Sequence, residues 1–288
     1  MSRHGNTNHA ATSPAAAIVA ALLALSGCGG PAGDAATTVE DRILLPAPLS
    51  MDALDRERQI RVYLPPGYGE SERRYPVLYL HDGQNLFDDA TAYAGEWGVD
   101  ETLDALAREG LALIAVGIDN GGERRMTELN PWSNDEFGEG KGEDYLRFVV
   151  DRVKPYVDEH YRTRPGRLDT AVMGSSMGGF ISHYAMLEYS AVFSKAGLFS
   201  PSYWIAEDIF PQTTESPPPA DARLYLLVGA LEGPDMQSDT ERMAALLIEN
   251  GHPEESLSLN IKPDGDHNEA FWRREFAAAV RWLFAPTP

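Results

Sequence analysis

The stretch Asp169-Thr170-Ala171-Val172-Met173-Gly174-Ser175-Ser176-Met177-Gly178-Gly179-Phe180 runs from a short apolar segment of strand character through Gly-x-Ser-x-Gly into an apolar segment with helical spacing. That order places a serine on the turn between a strand and a helix. A serine there occupies a strained backbone geometry, and small residues two positions to either side let strand and helix approach closely. Only Ser176 has glycine at both of those positions, so Ser176 rather than Ser175 is the candidate nucleophile. The alternative is a glycine-rich turn with no chemistry.

Outward from this elbow, short apolar runs alternate with longer amphipathic segments. Strands are expected at Gln59–Leu64, Val77–His81, Leu111–Ile118, Asp169–Met173, Lys195–Phe199, Leu224–Val228 and Leu257–Ile261. Helices are expected at Val99–Arg108, Glu143–Tyr161, Gly178–Tyr189, Ser238–Asn250 and Glu269–Phe284. Such alternation implies an α/β fold: a single domain with a mostly parallel central sheet and helices on both faces. The amino-terminal strands are expected to pair antiparallel at one edge. Pro155 should kink or divide the helix that contains it. The proline-rich stretch Phe210–Ala222 reads as an irregular surface excursion.

The chain has 288 residues, with 24 Lys and Arg against 44 Asp and Glu, a formal net charge of −20. This charge repels phosphate backbones, so nucleic acid is excluded as a partner. Near the amino terminus the 11-residue apolar run Ala15–Leu25 is too short to span a bilayer but suits the core of a secretory signal. It leads into Leu25-Ser26-Gly27-Cys28, which resembles a bacterial lipobox. Cys28, the sole cysteine, would then carry the lipid, and an ordinary signal with a stray cysteine is the alternative. The expected organisation is a lipoprotein signal peptide at Met1–Gly27, a flexible tether at Cys28–Arg42 and the catalytic domain at Ile43–Pro288. The expected location is the bacterial cell envelope, with membrane contact through the lipid anchor only. Gly29 after the cysteine favours the outer membrane in a Gram-negative cell.

Serine needs a base to take its proton and a third group to orient that base; folds with this elbow supply them in the order Ser, Asp/Glu, His. His267, in the polar loop Lys262-Pro263-Asp264-Gly265-Asp266-His267-Asn268-Glu269 before the final helix, is the candidate base. The acid should follow the strand Leu224–Val228. Glu232 is favoured; Asp235, after Pro234 at a helix start, is the alternative and suits a first-turn carboxylate. The oxyanion of the tetrahedral intermediate needs two backbone N–H donors, assigned to Met177 and to Gln84 in the loop His81-Asp82-Gly83-Gln84-Asn85.

Several linked stretches carry a family resemblance: Val62-Tyr63-Leu64-Pro65-Pro66-Gly67-Tyr68, Tyr75 to Asp88, Glu96-Trp97-Gly98-Val99-Asp100, Glu128-Leu129-Asn130-Pro131-Trp132, the elbow itself, and Gly265-Asp266-His267-Asn268-Glu269. Together, from about Arg58 to Leu283, the sequence resembles the putative esterase family of the α/β-hydrolases. That family includes feruloyl and acetylxylan esterases, enterochelin-type esterases, S-formylglutathione hydrolases and mycolyltransferases. The resemblance implies a serine carboxylic-ester hydrolase acting through an acyl-enzyme on a small-molecule or glycan ester, such as acyl or feruloyl esters of polysaccharides or siderophore lactones. Glu at 232 departs from the Asp often found there. An acyltransferase with the same triad and a noncatalytic glycan- or partner-binding lipoprotein are the alternatives. Candidate substrate contacts are His81, Asp82, Arg124, Arg125, Trp132 and Trp204, with Trp97 and Tyr203 also considered. Arginines paired with Glu123 or Glu128, and aromatics placed in the core, are the plainer readings. No zinc spacing or phosphate loop appears, and no cofactor is expected.

Overall fold

Alternation of side chains along each strand divides the core into two layers. In β5 (Val77–His81) Val77 and Tyr79 enter one layer and Leu78 and Leu80 the other; in β9 (Arg223–Gly229) Leu224 and Leu226 part from Tyr225 and Leu227 in the same way. A strand buried on both faces needs helices on both, and that is the arrangement. The helices α1 (Val99–Arg108) and α8 (Glu269–Phe284) cover the second layer through Leu103, Leu106, Phe276 and Val280. The first layer is covered by α3 (Gly142–Phe148), α4 (Lys154–His160), α5 (Met177–Glu188) and α7 (Pro234–Glu249).

The computed structural model describes residues 42–285. The expected signal segment, Cys28 and all but the last residue of the tether lie outside the described residues. Among the described residues no helix is long and apolar enough to cross a membrane. The remaining strands are β1 (Ile43–Leu44), β2 (Leu49–Met51), β3 (Arg56–Arg58), β4 (Ile60–Tyr63), β6 (Ile114–Ile118), β7 (Thr170–Ser175), β8 (Lys195–Phe199) and β10 (Leu257–Lys262). The main sheet has the order β1-β4-β6-β5-β7-β8-β9-β10, with β1 and β4 antiparallel at one edge and all pairs from β6 onward parallel. This is the expected mixed topology. A separate hairpin, β2 with β3, was not anticipated.

Two local expectations meet different fates. Pro155 lacks an N–H and its ring crowds the carbonyl four residues back, and a wider π turn at Val149–Val153 takes up the misfit, dividing α3 from α4. The stretch Phe210–Ala222, in contrast, is not irregular throughout: Ile209–Glu215 forms the helix α6, with Ile209, Phe210 and Thr213 buried. Pro211 lies in its first turn, where the missing N–H has no intrahelical acceptor to lose. Only Pro217, Pro218 and Pro219 fall beyond it.

Candidate active site

The groups of interest follow the carboxyl ends of six strands: Asp82 and Gln84 after β5, Asn120 after β6, Ser176 after β7, Ser200 and Ser202 after β8, Glu232 after β9 and His267 after β10. Open α/β sheets present ligand sites at that end. Ser176 caps α5 with φ 57° and ψ −122°, a conformation that costs a non-glycine residue roughly 1–3 kcal/mol. Its surroundings hold it there: its N–H donates to Phe199 O at 2.8 Å, and its carbonyl accepts from Phe180 N at 3.0 Å and Ser202 N at 3.2 Å. The glycines are required by contact. A Cβ on Gly174 would lie 2.7 Å from the backbone of Gly178, and one on Gly179 would lie 2.8 Å from Phe199 O. Met177 opens α5, so its N–H has no acceptor within the helix.

A second close approach joins acid to base. A Cβ on Gly229 would fall 2.3 Å from the carbonyl of Gly265, so only glycine lets the two loops meet; Leu231 N then donates to Gly265 O at 3.0 Å and Ala230 N to Lys262 O at 2.9 Å. Glu232 Oε2 lies 2.8 Å from His267 Nδ1. Its other oxygen accepts from Ser200 Oγ and from Gly229 N, both at 2.7 Å. The Glu232 side chain is 0% exposed whereas that of His267 is 36% exposed. Ser200 also accepts from Trp272 Nε1 at 2.9 Å, and the Trp272 ring meets the imidazole edge to face at 4.9 Å. Asp235 is exposed in the first turn of α7 and makes no contact with His267. Since Glu232 occupies Nδ1, Nε2 is the ring nitrogen left to exchange a proton.

Ser176 and His267 line one cleft of about 710 Å³ with Asp82, Gln84, Asn120 and Arg125. The Ser176 hydroxyl pairs with Ser202 Oγ at 3.1 Å rather than with the imidazole. Serine–base contacts in free enzymes are often long and tighten on substrate binding.

The candidate substrate contacts separate into two groups. Asp82 and Arg125 line the cleft, but they bind each other: Arg125 Nε to Asp82 Oδ1 is 2.6 Å and Nη2 to Oδ2 is 2.8 Å. Burial acts to raise the Asp82 carboxyl; Arg125 and Asn120 outweigh it and hold it below the usual carboxylate range. His81 lies beneath, bonded through Nδ1 to Tyr145 Oη at 2.7 Å, and burial pushes its imidazole down to about 4. Arg124, Trp132 and Trp204 are not part of this cleft. Arg124 is exposed, while Glu128, one of the two expected arginine partners, is buried between Arg56 and Arg58. Trp132 packs edge-on against Phe180 and Tyr184, and Trp204 against Phe137. Trp97 and Tyr203 belong to the core, at 3% and 0% exposure. Sequence reasoning missed Asn120, Ser200, Ser202, Trp272 and Glu269. Glu269 is 9% exposed, lines the cleft and has its carboxyl raised, first by burial and then by Asp82. Among the described residues no cluster of three or more His, Cys, Asp or Glu is arranged to hold a metal ion.

Comparison with known proteins agrees with this architecture. YbbA of Bacillus subtilis (strain 168), an uncharacterized protein, is 28% identical over 241 residues, covering 79% of this chain and 92% of its own. An endo-1,4-beta-xylanase/feruloyl esterase of Xylanibacter ruminicola is 25% identical over 233 residues, 77% of this chain but 29% of that protein. The crystal structure of the enterobactin esterase FES from Shigella flexneri superposes with a TM-score of 0.70 at 20% identity, covering 88% of this chain and 61% of that one, which is agreement in fold. The family model described as "Putative esterase" matches residues 51–283. With that match spanning nearly all of the described residues, the chain belongs to the Putative esterase family and is a carboxylic ester hydrolase of α/β fold.

Proposed function

We propose that the protein is a serine esterase working through an acyl-enzyme. Ser176 Oγ attacks the ester carbonyl carbon while His267 Nε2 takes its proton; Glu232 holds Nδ1–H and stabilises the imidazolium. The Met177 and Gln84 N–H groups receive the oxyanion. The imidazolium gives its proton to the departing alcohol; water deprotonated by His267 then attacks the acyl-enzyme carbonyl, and the bond to Ser176 Oγ breaks as the imidazolium returns the proton to that oxygen and the carboxylic acid leaves. The observation that carries this reading is the 2.8 Å contact of His267 with the buried side chain of Glu232, His267 and the strained Ser176 lining the same cleft.

Acyl or feruloyl esters of polysaccharides and siderophore lactones are the proposed substrates, supported by the feruloyl esterase relative and by an Escherichia coli iron(III) salmochelin esterase, 25% identical over 244 residues. Anchoring through a lipid on Cys28 in the bacterial envelope is proposed on the signal-like sequence alone. The test of function is hydrolysis of a p-nitrophenyl ester series by the full chain beside Ser176→Ala. Turnover abolished in the variant supports the proposal; turnover that survives refutes it. For the anchor, Cys28→Ser should move the protein from the membrane to the soluble fraction, and unchanged partition would refute it.

A further inference from the structure

Asp82 is bent into the left-handed region, φ 58° and ψ 47°, immediately before the Gly83–Asn85 turn that carries Gln84. An aspartate adopts that conformation at some cost, and here the side chain is bonded by two residues and lies against the elbow on a third side. Arg125 grips both carboxylate oxygens and Asn120 Nδ2 donates to Oδ1 at 2.6 Å. On the third side is the elbow: a Cβ on Gly178 would lie 3.3 Å from Asp82 Oδ2, and Arg125 Nη2 reaches the carbonyl of Ser175 at 3.5 Å. Arg125 thus touches the two chain segments that carry the proposed oxyanion donors, Gln84 on one and Met177 on the other.

The parts around it are also fixed. Arg125 begins the short helix α2 (Arg125–Glu128), whose Glu128 is 1% exposed and held by Arg58 at 2.5 Å and by Arg56, both from β3. The Gln84 side chain accepts from Asn120 N at 3.0 Å, and its carbonyl accepts from Thr91 Oγ1 at 2.7 Å. An oxyanion hole depends on donors held before the charge develops, to within about half an ångström. From this geometry, and resting on the esterase reading above, we propose that the Asp82–Arg125 pair is a clip that sets the spacing between the Gln84 and Met177 N–H donors. Arg125 is then a positioning residue and not a receptor for an anionic substrate.

The experiment compares Asp82→Asn, Arg125→Gln, Arg125→Lys and the double variant Asp82→Asn/Arg125→Gln. It uses a neutral p-nitrophenyl ester, an ester bearing a carboxylate, and a phenylboronic acid as mimic of the tetrahedral intermediate. Losing one oxyanion donor lowers kcat by about 100- to 1000-fold, so misplacing one should lower it by roughly 30- to 300-fold on either ester. KM should change by less than about 3-fold, and boronate affinity should fall in parallel with kcat/KM. The double variant should be no worse than the worse single one, because both changes release the same clip. Arg125→Lys, with one ammonium in place of a fork, should restore only part of the rate. Arg125→Gln strands a buried carboxylate; if it fails to fold, the double variant, with neither charge, carries the test.

Unchanged kcat and boronate affinity, or a loss confined to KM for the anionic ester, would overturn the clip. A wild type that hydrolyses no ester would instead sink the esterase reading. The clip would then be judged from crystal structures of wild type and double variant, where Gln84 N should shift by about half an ångström or more from Met177 N. An unmoved pair would overturn it.

Discussion

Glu232→Gln replaces one atom and has a consequence that the hydrogen bonds determine. Oε1 accepts from Gly229 N–H, which can only donate, so the amide oxygen of glutamine must occupy that position. The amide NH₂ then faces His267 Nδ1, where Oε2 now lies at 2.8 Å. A donor there makes Nδ1 the acceptor and puts the ring proton on Nε2, the tautomer that cannot take a proton from Ser176. Flipping the amide would restore the useful tautomer but set NH₂ against the buried Gly229 N–H, an unsatisfied pair costing about 1–3 kcal/mol, or roughly 5- to 150-fold in population. Loss of the negative charge behind the imidazolium adds to this. A kcat lower by about 1000-fold follows, near 4 kcal/mol in the barrier. Glu232→Asp, one methylene shorter, cannot span Gly229 N and His267 together and should fall by about 10- to 100-fold. Asp235→Asn should stay within about 2-fold. The assay is kcat on a p-nitrophenyl ester, with thermal melts to confirm folding. A folded Glu232→Gln with near-normal kcat, or a larger loss in Asp235→Asn, would refute the reasoning.

Gly229→Ala should destabilise the protein by about 1–3 kcal/mol and lower kcat at least about 10-fold, because its methyl collides with Gly265 and parts Glu232 from His267. Gly166→Ala, with open space around it, is the control, and melts with kinetics check both. His183 and His81 are buried with their imidazoles pushed down to about 3 and about 4, first by burial. Their folded-state values lie below the unfolded value, so stability is complete above about pH 6.5 and is lost as pH falls toward 4, by up to about 1.4 kcal/mol per pH unit for each. Urea midpoints across pH 4–7 should show that slope, and His183→Asn should lessen it by up to about 1.4 kcal/mol per pH unit; an unchanged slope would contradict the assignment. Because Glu269 is raised in the folded state, its ionisation at higher pH disfavours folding. Glu269→Gln should therefore raise Tm more at pH 8 than at pH 4, and kcat should fall modestly because a carboxylate near His267 is lost.

Much of this was legible in the sequence, and the exceptions share physical causes. The places of Ser176, Glu232 and His267 at one end of the sheet were readable because each lies at a fixed position relative to a strand with strong apolar patterning. Val99–Arg108, Lys195–Phe199 and Glu269–Phe284 were read to the residue. The hairpin of β2 and β3 was hidden because Arg56-Glu57-Arg58 looks like solvated charge, yet Arg58 is 5% exposed and paired with Glu128. Pro211 looked like a helix breaker, whereas in the first turn it breaks nothing. Arg125 looked like a free cation because its partner, Asp82, is 43 residues away in sequence. Glu269 reads as an ordinary first-turn carboxylate, and only the cleft shows what it faces. Trp97 and Tyr203 followed the more common course for aromatics, into the core.

The identity of the nucleophile is tested most directly by mass spectrometry of the full chain after treatment with a fluorophosphonate, which traps activated serines. One adduct is expected, on the peptide containing Ser176, absent from Ser176→Ala and strongly slowed in Glu232→Gln. A protein that hydrolyses esters but carries no adduct, or carries it on another residue, would contradict the assignment of Ser176.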